Sequence, residues 1–228
     1  MSSTNSKLDI LFEDNHLVIV NKGVGDLVQG DKTGDVTLPD QIKAYIKEKY
    51  NKPGAVYLGV VHRLDRPTSG AVIFAKTSKA LTRMNQMFVD KRIIKTYWAV
   101  VQPKPELAQA TLIHWLKKNP KNNKATVFKT KQDGAKQAVL HYDLLKSLDR
   151  YAVLSLTLET GRHHQIRAQL AAIGSPIKGD LKYGFDRSNP NGGIHLHARQ
   201  LNFIHPVTKK QISVQATLPK DAVWDLCV

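Results

Sequence analysis

Hydrophobic positions along this chain fall into short runs, and two of these runs enclose a polar segment. Residues 57–61 and 71–75 consist of apolar residues and glycine, and they flank the sequence HRLDRPTSG. Such runs, rich in β-branched and aromatic residues, predict central strands that are covered on both faces. The loop at residues 62–70 is therefore expected to hang from the rigid middle of a sheet, where a reactive group can be held still. Whether Asp65 is such a group or only shapes a turn stays open at this point, because Asp, Pro, Ser and Gly are all turn residues.

The same patterning predicts the other elements of the fold. Helices are predicted at residues 38–50, 79–91 and 162–173. Further strands are predicted at residues 10–12, 17–20, 93–101, 138–145, 151–159, 196–205 and 211–218. Strands follow one another in hairpin-like succession, so we predict an α+β fold with a mixed, mostly antiparallel central sheet and flanking helices. No repeat or linker divides the chain, and residues 8–228 are predicted to form a single domain after a disordered tail at residues 1–7.

Each predicted helix has a boundary residue and an apolar face. Thr37 is the expected N-cap of the first helix, with Pro39 in its first turn. Ser78 is the expected cap of the second helix, and Gly174 is expected to end the third. The predicted buried faces are Ile42, Tyr45 and Ile46 in the first helix, Leu81, Met84 and Phe88 in the second, and Ile166, Leu170 and Ile173 in the third.

The charge of the chain is strongly positive and unevenly distributed. There are 34 Lys and Arg against 19 Asp and Glu, a formal net charge of +15 with a pI near 9.8. Such a surface attracts polyanions, because each neutralised phosphate releases condensed counterions, and we favour nucleic acid over a merely basic protein. Residues 117–136 contain seven lysines and one acid, in a pattern that predicts a hairpin. The hairpin is either a plain solvated one or an RNA-binding flap, and the density of lysine favours the flap. The candidate RNA contacts are Lys117, Lys118, Lys121 and Lys124.

Other classes of protein are disfavoured by features that the sequence lacks. No apolar run approaches the ~18 residues that a membrane helix needs, and no signal sequence opens the chain, so we expect a cytoplasmic location without membrane attachment. The one cysteine, Cys227, excludes an intramolecular disulfide and a cysteine metal cage. His163-His164 and His195-x-His197 could contribute to a metal site, but no carboxylate pattern accompanies them, so we expect no metal.

Three residues have the chemistry of an active site around the loop at residues 62–70. Asp65 is a carboxylate that a closed site would desolvate, and an arginine such as Arg167 favours the ionised form through a bidentate pair. Tyr97 offers a flat face for stacking on a base and a phenol for proton transfer. These properties make the three residues compatible, but they do not by themselves bring the residues together.

Longer stretches of the sequence resemble the RluA-type pseudouridine synthases. The similar stretches, in chain order, are EDNHLVIVNKGVG, HRLDRPTSG, KTYWAVV, LETGRHHQIRAQLAAIGSPIKGDLKYG and LHARQLNFIHPVT. HRLD-x-x-TSG and TGR-x-HQIR are specific when they occur together. The resemblance implies the catalytic fold of that family.

The resemblance also implies a reaction and a role for particular residues. Uridine in RNA is isomerised: the C1′–N1 bond breaks, the uracil turns and a C1′–C5 bond forms, with neither metal nor cofactor. Asp65 takes the place of the family's catalytic aspartate, Tyr97 that of its active-site tyrosine and Arg167 that of the arginine that pairs with the aspartate. Leu170 falls where the family has an apolar residue against the active site.

The implied substrate is structured RNA, with ribosomal RNA as the first expectation and transfer RNA as the alternative. The target uridine must leave its stack, and His62 and Arg63 are expected to fill the gap or hold the flipped nucleotide. Gly23 stands where the family commonly has proline, and Ala168-Gln169 stand where it often has histidine. These departures do not touch the three active-site residues.

Two further expectations concern organisation. Many relatives carry an N-terminal S4-like RNA-binding domain; because the family resemblance already opens near Leu8, we expect none here, and we expect a monomer. A second hypothesis, from another class, is a catalytically inactive RNA-binding or chaperone module on the same fold. The presence of Asp65, Tyr97 and Arg167 argues against it, because an inactive module has no need of them.

Overall fold

The computed structural model describes residues 8–30 and 33–227, which divide into two compact units. The N-terminal unit contains the described residues up to 93 together with 200–217, and the C-terminal unit contains 94–199 together with 218–227. The predicted disorder at residues 1–7 lies outside the described residues. The single domain predicted for residues 8–228 stays a prediction.

The N-terminal unit combines short antiparallel ladders with two helices. Its elements are β1 (Ile10–Glu13), β2 (Leu17–Lys22), α1 (Leu38–Lys49), β3 (Gly59–Val60), β4 (Ser69–Ala75), α2 (Ser78–Val89) and β11 (Gln211–Gln215). Strand β2 pairs with β1 and β4, and β3 also pairs with β4. Strand β10 (Leu196–Ile204) runs from the C-terminal unit into this one and pairs with β11.

The C-terminal unit is built on antiparallel strands whose order in the sheet differs from their order in the chain. Its elements are β5 (Ile94–Val101), β6 (Gln109–Asn119), β7 (Lys124–Phe128), β8 (Lys136–Ser147), β9 (Ala152–Leu158) and α3 (Gln165–Ala172), with short 3₁₀ turns at Leu181–Tyr183 and Asp225–Cys227. The strand order is β5-β9-β8-β6-β7, and each of these neighbouring pairs is antiparallel. The predicted α+β fold with a mostly antiparallel sheet is confirmed.

The boundaries of α1 follow the expected capping chemistry. Thr37 accepts a hydrogen bond from the backbone N–H of Asp40, and the Asp40 carboxylate accepts one from the N–H of Thr37. This reciprocal pair satisfies donors that a helix start would otherwise leave without partners. Ile42 and Ile46 are buried, as predicted.

Strand β4 is buried along its whole length, but the apolar run before the HRLD loop is not a covered strand. Only Gly59 and Val60 pair with β4, opposite Ala75 and Phe74, and Val60 is 42% exposed. The prediction of a central strand over residues 57–61 was therefore wrong. Gly59 lies close against helix α2, since a Cβ at this position would be 2.8 Å from a methyl carbon of Leu81.

Helix α2 begins one residue earlier than its predicted cap required. The Thr77 hydroxyl accepts the N–H of Ala80 at 3.1 Å, so Thr77 and not Ser78 is the N-cap. Met84 is buried as predicted, whereas Leu81 and Phe88 are only partly buried against the core. The fully buried positions are Ala80, Met84 and Met87, which face the core that β2 and β4 supply.

Helix α3 begins three residues later than predicted, at Gln165. The reason is His164, whose backbone is left-handed with φ 51° and ψ 28°, a conformation that no α-helix continues. Ile166 and Leu170 are buried as predicted, but Ile173 is the C-cap and only partly buried. Gly174, with φ +80°, follows the C-cap as predicted.

The Glu13 carboxylate joins several elements of the N-terminal unit. It accepts hydrogen bonds from Lys49 at 2.7 Å, Lys76 at 2.8 Å, and the Tyr45 and Tyr50 hydroxyls at 2.9 Å each. Burial alone would raise the pKa of Glu13, but these donors outweigh it and lower the pKa to about 2. The side chain therefore stays ionised and ties α1 to β1 and to the residue after β4.

Glu13→Gln should lower the free energy of unfolding at neutral pH by about 1–3 kcal/mol, because a neutral amide cannot replace the charged acceptor. In the wild type, the same stabilisation should be lost as the pH falls from 4.5 toward 2, because the unfolded carboxyl takes up its proton first. Urea unfolding across this pH range checks both points. Exposed Glu48→Gln is the control, and equal stability of the two variants would contradict the role given to Glu13.

Candidate active site and basic hairpin

The loop that carries Asp65 is anchored to β4 and closed by a tight turn. The Thr68 N–H donates to the carbonyl of Asp65 at 3.0 Å, and Leu64 beside it is only 8% exposed. Asp65 itself is partly buried. The turn hypothesis is thus correct for the backbone, while the role of the Asp65 side chain is a separate question.

A buried lysine holds this turn from beneath. Lys22 is 1% exposed, and its Nζ donates to the carbonyl oxygens of Gly23 at 2.8 Å, Arg66 at 3.1 Å and Thr68 at 2.7 Å. Two of these carbonyls belong to the turn that starts at Asp65. Sequence reasoning missed Lys22, although a lysine that ends the apolar strand LVIVNK was a signal that could have pointed to it.

The ammonium group of Lys22 is destabilised by burial and supported by nearby carboxylates. Burial lowers the pKa of Lys22 from 10.5 to about 8, although Asp26 and Asp65 act to raise it and Arg66 acts in the same direction as burial. Asp65 is thus close enough to interact electrostatically with Lys22. Lys22 supplies positive charge behind the loop as well as three hydrogen bonds.

His62 and Arg63, the predicted nucleotide contacts, have different settings. The His62 Nε2 accepts the N–H of Ile73 at 3.0 Å, and its ring lies 5.0 Å from the Phe88 ring. His62 therefore fastens the loop to β4, which the sequence did not predict. Arg63 is exposed and donates to the Gln29 side chain at 2.8 Å. Their roles toward RNA stay predictions.

Tyr97, Arg167 and Leu170 all lie in the C-terminal unit, whereas Asp65 lies in the N-terminal unit. Tyr97 is 7% exposed, and it faces the same side of the sheet as Leu156, its partner in the ladder. Leu170 is fully buried. The pairing of Arg167 with Asp65 stays a prediction.

Arg167 has a buried carboxylate partner that sequence reasoning did not identify. Its Nε donates to one Asp180 oxygen at 2.6 Å and its Nη2 to the other at 2.8 Å. The two residues are 5% and 1% exposed, and the guanidinium carbon lies 5.1 Å from the centre of the Tyr183 ring. A bidentate fork fixes the plane of the guanidinium. The signal was present in the motif GDLKYG, which contains both Asp180 and Tyr183.

Gln165 and Gln169 fasten α3 and the segment before it to the sheet. The Gln165 Oε1 accepts from the Thr160 hydroxyl at 2.8 Å and from the N–H of Arg162 at 2.9 Å. The Gln169 Nε2 donates to the carbonyl of Leu112 at 3.0 Å. Gln169, the departure from the family pattern, therefore has a structural role here.

The basic segment lies in a hairpin formed by β6 and β7, although the sequence patterns predicted no strand at β6 and placed the tight turn at Asp133-Gly134. Lys117, Lys118 and Lys121 are exposed, while Lys124 is partly buried with its Nζ 5.2 Å from the centre of the Tyr183 ring. The inner side of the hairpin packs on α3 and Tyr183. A cleft of about 490 Å³ opens there, lined among others by Lys124, Ala125, Val127, Ala168, Ala171 and Tyr183. RNA binding by the hairpin stays a prediction.

The histidines considered for a metal site have other partners. His195 bonds to the Asn189 amide at 2.9 Å and to Asp221 at 3.2 Å, and it stacks on Trp224. His197 meets the edge of Trp224. Within residues 8–30 and 33–227, no group of three or more His, Cys, Asp or Glu could hold a metal ion. None of the helices in these residues is long and apolar enough to cross a membrane.

Residues 16–172 match the family model described as RNA pseudouridylate synthase, and the chain belongs to this family. The predicted RluA-type membership is confirmed, and the chain is an RNA pseudouridine synthase that isomerises uridine in RNA.

Relatives of this chain are found across bacteria. It is 35% identical over 218 residues to an RNA pseudouridine synthase of Synechocystis sp., covering 94% of this chain and 67% of that protein. It is 34% identical to ribosomal large subunit pseudouridine synthase D of Zymomonas mobilis, covering 94% and 70%. It is also 34% identical to the RNA pseudouridine synthase YhcT of Bacillus subtilis, covering 97% and 72%.

Solved structures share the fold. Human RNA pseudouridylate synthase domain containing 4 superposes with a TM-score of 0.79 at 24% identity, covering 96% of this chain and 91% of that one. Human RNA pseudouridylate synthase domain containing 1 gives a TM-score of 0.76 at 24% identity, covering 100% and 90%. At this identity the likeness shows the fold alone.

Lys22→Met should leave the carbonyls of Gly23, Arg66 and Thr68 without their shared donor, and lower the free energy of unfolding by about 1–3 kcal/mol. Turnover should fall as well, because the loop loses its anchor. The wild type should lose part of its stability relative to the variant as the pH falls from 10.5 to 8, since the unfolded chain takes up this proton before the folded chain does.

Urea unfolding at neutral pH and between these two pKa values provides the measurement, together with a turnover assay. Lys47→Met, at an exposed position of α1, is the matched control. A Lys22→Met enzyme with unchanged turnover and an unchanged pH profile of stability would show that the lysine does not support the loop.

Proposed function

We propose that Asp65 carries the isomerisation and that the substrate is a uridine in large-subunit ribosomal RNA. The observation that carries the first part is the contact of Lys22 with the turn that begins at Asp65. Burying an ammonium group is costly, and a plain surface turn would not need this support. The names of several relatives, such as ribosomal large subunit pseudouridine synthase D, favour the second part.

In this proposal Asp65 acts as a carboxylate on the flipped uridine. It attacks the base or the ribose, or it removes a ribose proton, while the C1′–N1 bond breaks and C1′–C5 forms. Lys22 lies near enough to interact with Asp65 electrostatically, and two of its hydrogen bonds hold the turn that begins at Asp65. A loop that is already held in place also lowers the entropy cost of orienting the carboxylate for reaction.

Tyr97, Leu170 and Arg167 form the other part of the proposed site. Tyr97 stacks on the uracil and handles the proton at C5, and Leu170 supplies an apolar wall. Arg167 pairs with Asp65 in addition to its fork with Asp180. Asp180 supports this role, because a guanidinium held in one plane loses little freedom when it binds a second anion.

The basic hairpin and the loop residues supply affinity for the RNA. Lys117, Lys118, Lys121 and Lys124 contact phosphates, and His62 and Arg63 hold the displaced nucleotide. These phosphate contacts offset the cost of removing the uridine from its stack. Transfer RNA is the alternative substrate, and a monomer in the cytoplasm is the expected state. An inactive RNA-binding module is not favoured, since the chain belongs to an enzyme family.

The catalytic assignment predicts that Asp65→Asn abolishes turnover. Tritium release from ribosomal RNA labelled at uridine C5 should fall by at least about a thousandfold, because the amide has no charge with which to react. Asp35→Asn, which removes a carboxylate from an exposed ion pair with Arg66, is the control and should keep its activity. Tritium release by Asp65→Asn at the wild-type rate would rule out the assignment. If the wild type released tritium only from labelled transfer RNA, the substrate would be transfer RNA and not ribosomal RNA.

The hairpin assignment predicts a change in salt dependence. Replacing Lys117, Lys118, Lys121 and Lys124 with Ala should reduce the slope of log affinity against log salt by up to about 3, since each lost phosphate contact removes one counterion release. Filter binding to ribosomal RNA fragments over a range of salt measures the slope. Replacing four other exposed lysines, Lys47, Lys52, Lys79 and Lys104, is the matched control. Equal slopes for the two variants would show that net charge alone matters.

A further inference from the structure

The sheet of the C-terminal unit has an outer face that is partly uncovered. Along β6, Leu112 and Leu116 are buried and point toward the α3 side, while Ile113 between them is 55% exposed. Side chains alternate between faces along a strand, so Trp115 and Lys117 share the outer face with Ile113. The side that bears α3 also carries Tyr97, since Tyr97, Leu156, Tyr142 and Ala110 lie opposite one another across successive ladders.

Two aromatic side chains and two aliphatic ones meet on this outer face. Trp115 lies directly opposite Phe128 of β7, and Ile113 lies directly opposite Val139 of β8. Trp115, Phe128 and Val139 are partly exposed. We refer to Ile113, Trp115, Phe128 and Val139 as the outer patch.

Cationic side chains surround one end of the outer patch. The Lys131 Nζ lies 6.0 Å from the centre of the Trp115 ring. Lys117 is exposed on the same face, and its Nζ donates to the carbonyl of Asp133 at 3.0 Å. Arg162 is exposed and donates to the carbonyl of Gln137, the β8 neighbour of Trp115, at 2.8 Å. The patch therefore combines flat aromatic surface with positive charge.

At the far end of this face, on β5 and β9, the sheet is covered, while Thr111 and Thr157 between that end and the outer patch are exposed. Val100 and Val153 pack against Trp224 and Cys227 of the C-terminal segment, whereas no residue of the outer patch belongs to that cluster. An exposed aromatic and aliphatic group with a charged border is typical of an interaction site. The hairpin side of the patch is basic, because residues 117–136 hold seven lysines and one acid, while the exposed Glu159 lies beside Val139 and donates its N–H to the Val139 carbonyl at 3.2 Å.

We propose that the outer patch binds unpaired nucleotides of the RNA substrate. Bases stack on Trp115 and Phe128, and the adjoining phosphates pair with Lys117, Lys131 and Arg162. Aromatic surfaces bordered by basic side chains are the usual means of holding single-stranded nucleic acid. The charge favours RNA over a protein partner, and the proposal rests on the function proposed above in that the RNA is the one that is modified.

The outer patch lies on the face of the sheet opposite to the one that carries Tyr97. The nucleotides it binds are therefore not the target uridine but a segment that passes around the edge strand β7. This second contact would select RNA with an unpaired stretch at a fixed distance from the target.

Binding of a short fluorescein-labelled oligouridylate, measured by fluorescence anisotropy, tests the proposal. Trp115→Ala should weaken binding about tenfold, the loss of one stacked base, and Trp115→Phe should keep most of the affinity. Leu107→Ala, another exposed apolar side chain of the same unit, is the control and should bind as the wild type does. Wild-type affinity in a folded Trp115→Ala variant would overturn the proposal.

A second variant keeps the test decisive if Trp115→Ala fails to fold. Lys117→Glu combined with Lys131→Glu alters only exposed side chains and should weaken binding more than Lys104→Glu combined with Lys220→Glu. Equal effects of the two pairs would overturn the proposal. Sedimentation velocity adds a further outcome: self-association of the wild type that Trp115→Ala removes would assign the patch to a contact between copies and overturn the proposal. The two assays test different proposals. A wild type that releases no tritium would count against the proposed function, whereas the anisotropy measurement tests RNA binding by the outer patch independently of turnover.

Discussion

The hydrogen bonds of the Lys22 ammonium are the interaction on which the proposed catalytic loop depends. The pairing of β2 with β4 places Lys22 opposite Gly70, at the point where the loop enters the sheet. Burial there removes the hydration of the charge, and three carbonyl oxygens replace it. The loop backbone thus becomes part of the solvation of a buried cation. If the turn moved away from β2, the ammonium group would lose its hydrogen bonds to Arg66 and Thr68. This cost opposes movement of the turn.

The C-terminal unit uses the same physical principle with different residues. A buried guanidinium is costly to desolvate if it has no anion, and Asp180 supplies one from the segment after α3. Tyr183, three residues on from Asp180, then lies against the guanidinium. Arg167 is itself a residue to which the family resemblance gives a role, whereas Lys22 holds the loop that carries Asp65. Each unit therefore contains a buried cation that hydrogen bonds hold in a fixed position.

Sequence patterns predicted the elements that local chemistry specifies. The Thr37 cap of α1 and the buried run of β4 are determined by residues close together in the chain. The predictions failed where a distant contact decides the outcome. Strand β3 pairs with β4 at only two positions, and α3 starts late because His164 is left-handed, with its ring bonded to the Tyr183 hydroxyl 19 residues away. Lys22 and Asp180 escaped notice for the same reason. The carbonyls that Lys22 binds on Arg66 and Thr68 are 44 and 46 residues away, and no periodicity reports such a contact.

Tyr183 joins the basic hairpin to the buried arginine of the C-terminal unit. Its hydroxyl accepts the N–H of Ala125 in β7 at 2.7 Å and bonds to the His164 ring at 2.9 Å, at the start of α3. Its ring contacts the cations of both Lys124 and Arg167. The hairpin and Arg167 thus contact the same aromatic side chain. Under the proposed function, an RNA that moved the hairpin would therefore also move the ring that packs against the guanidinium of Arg167.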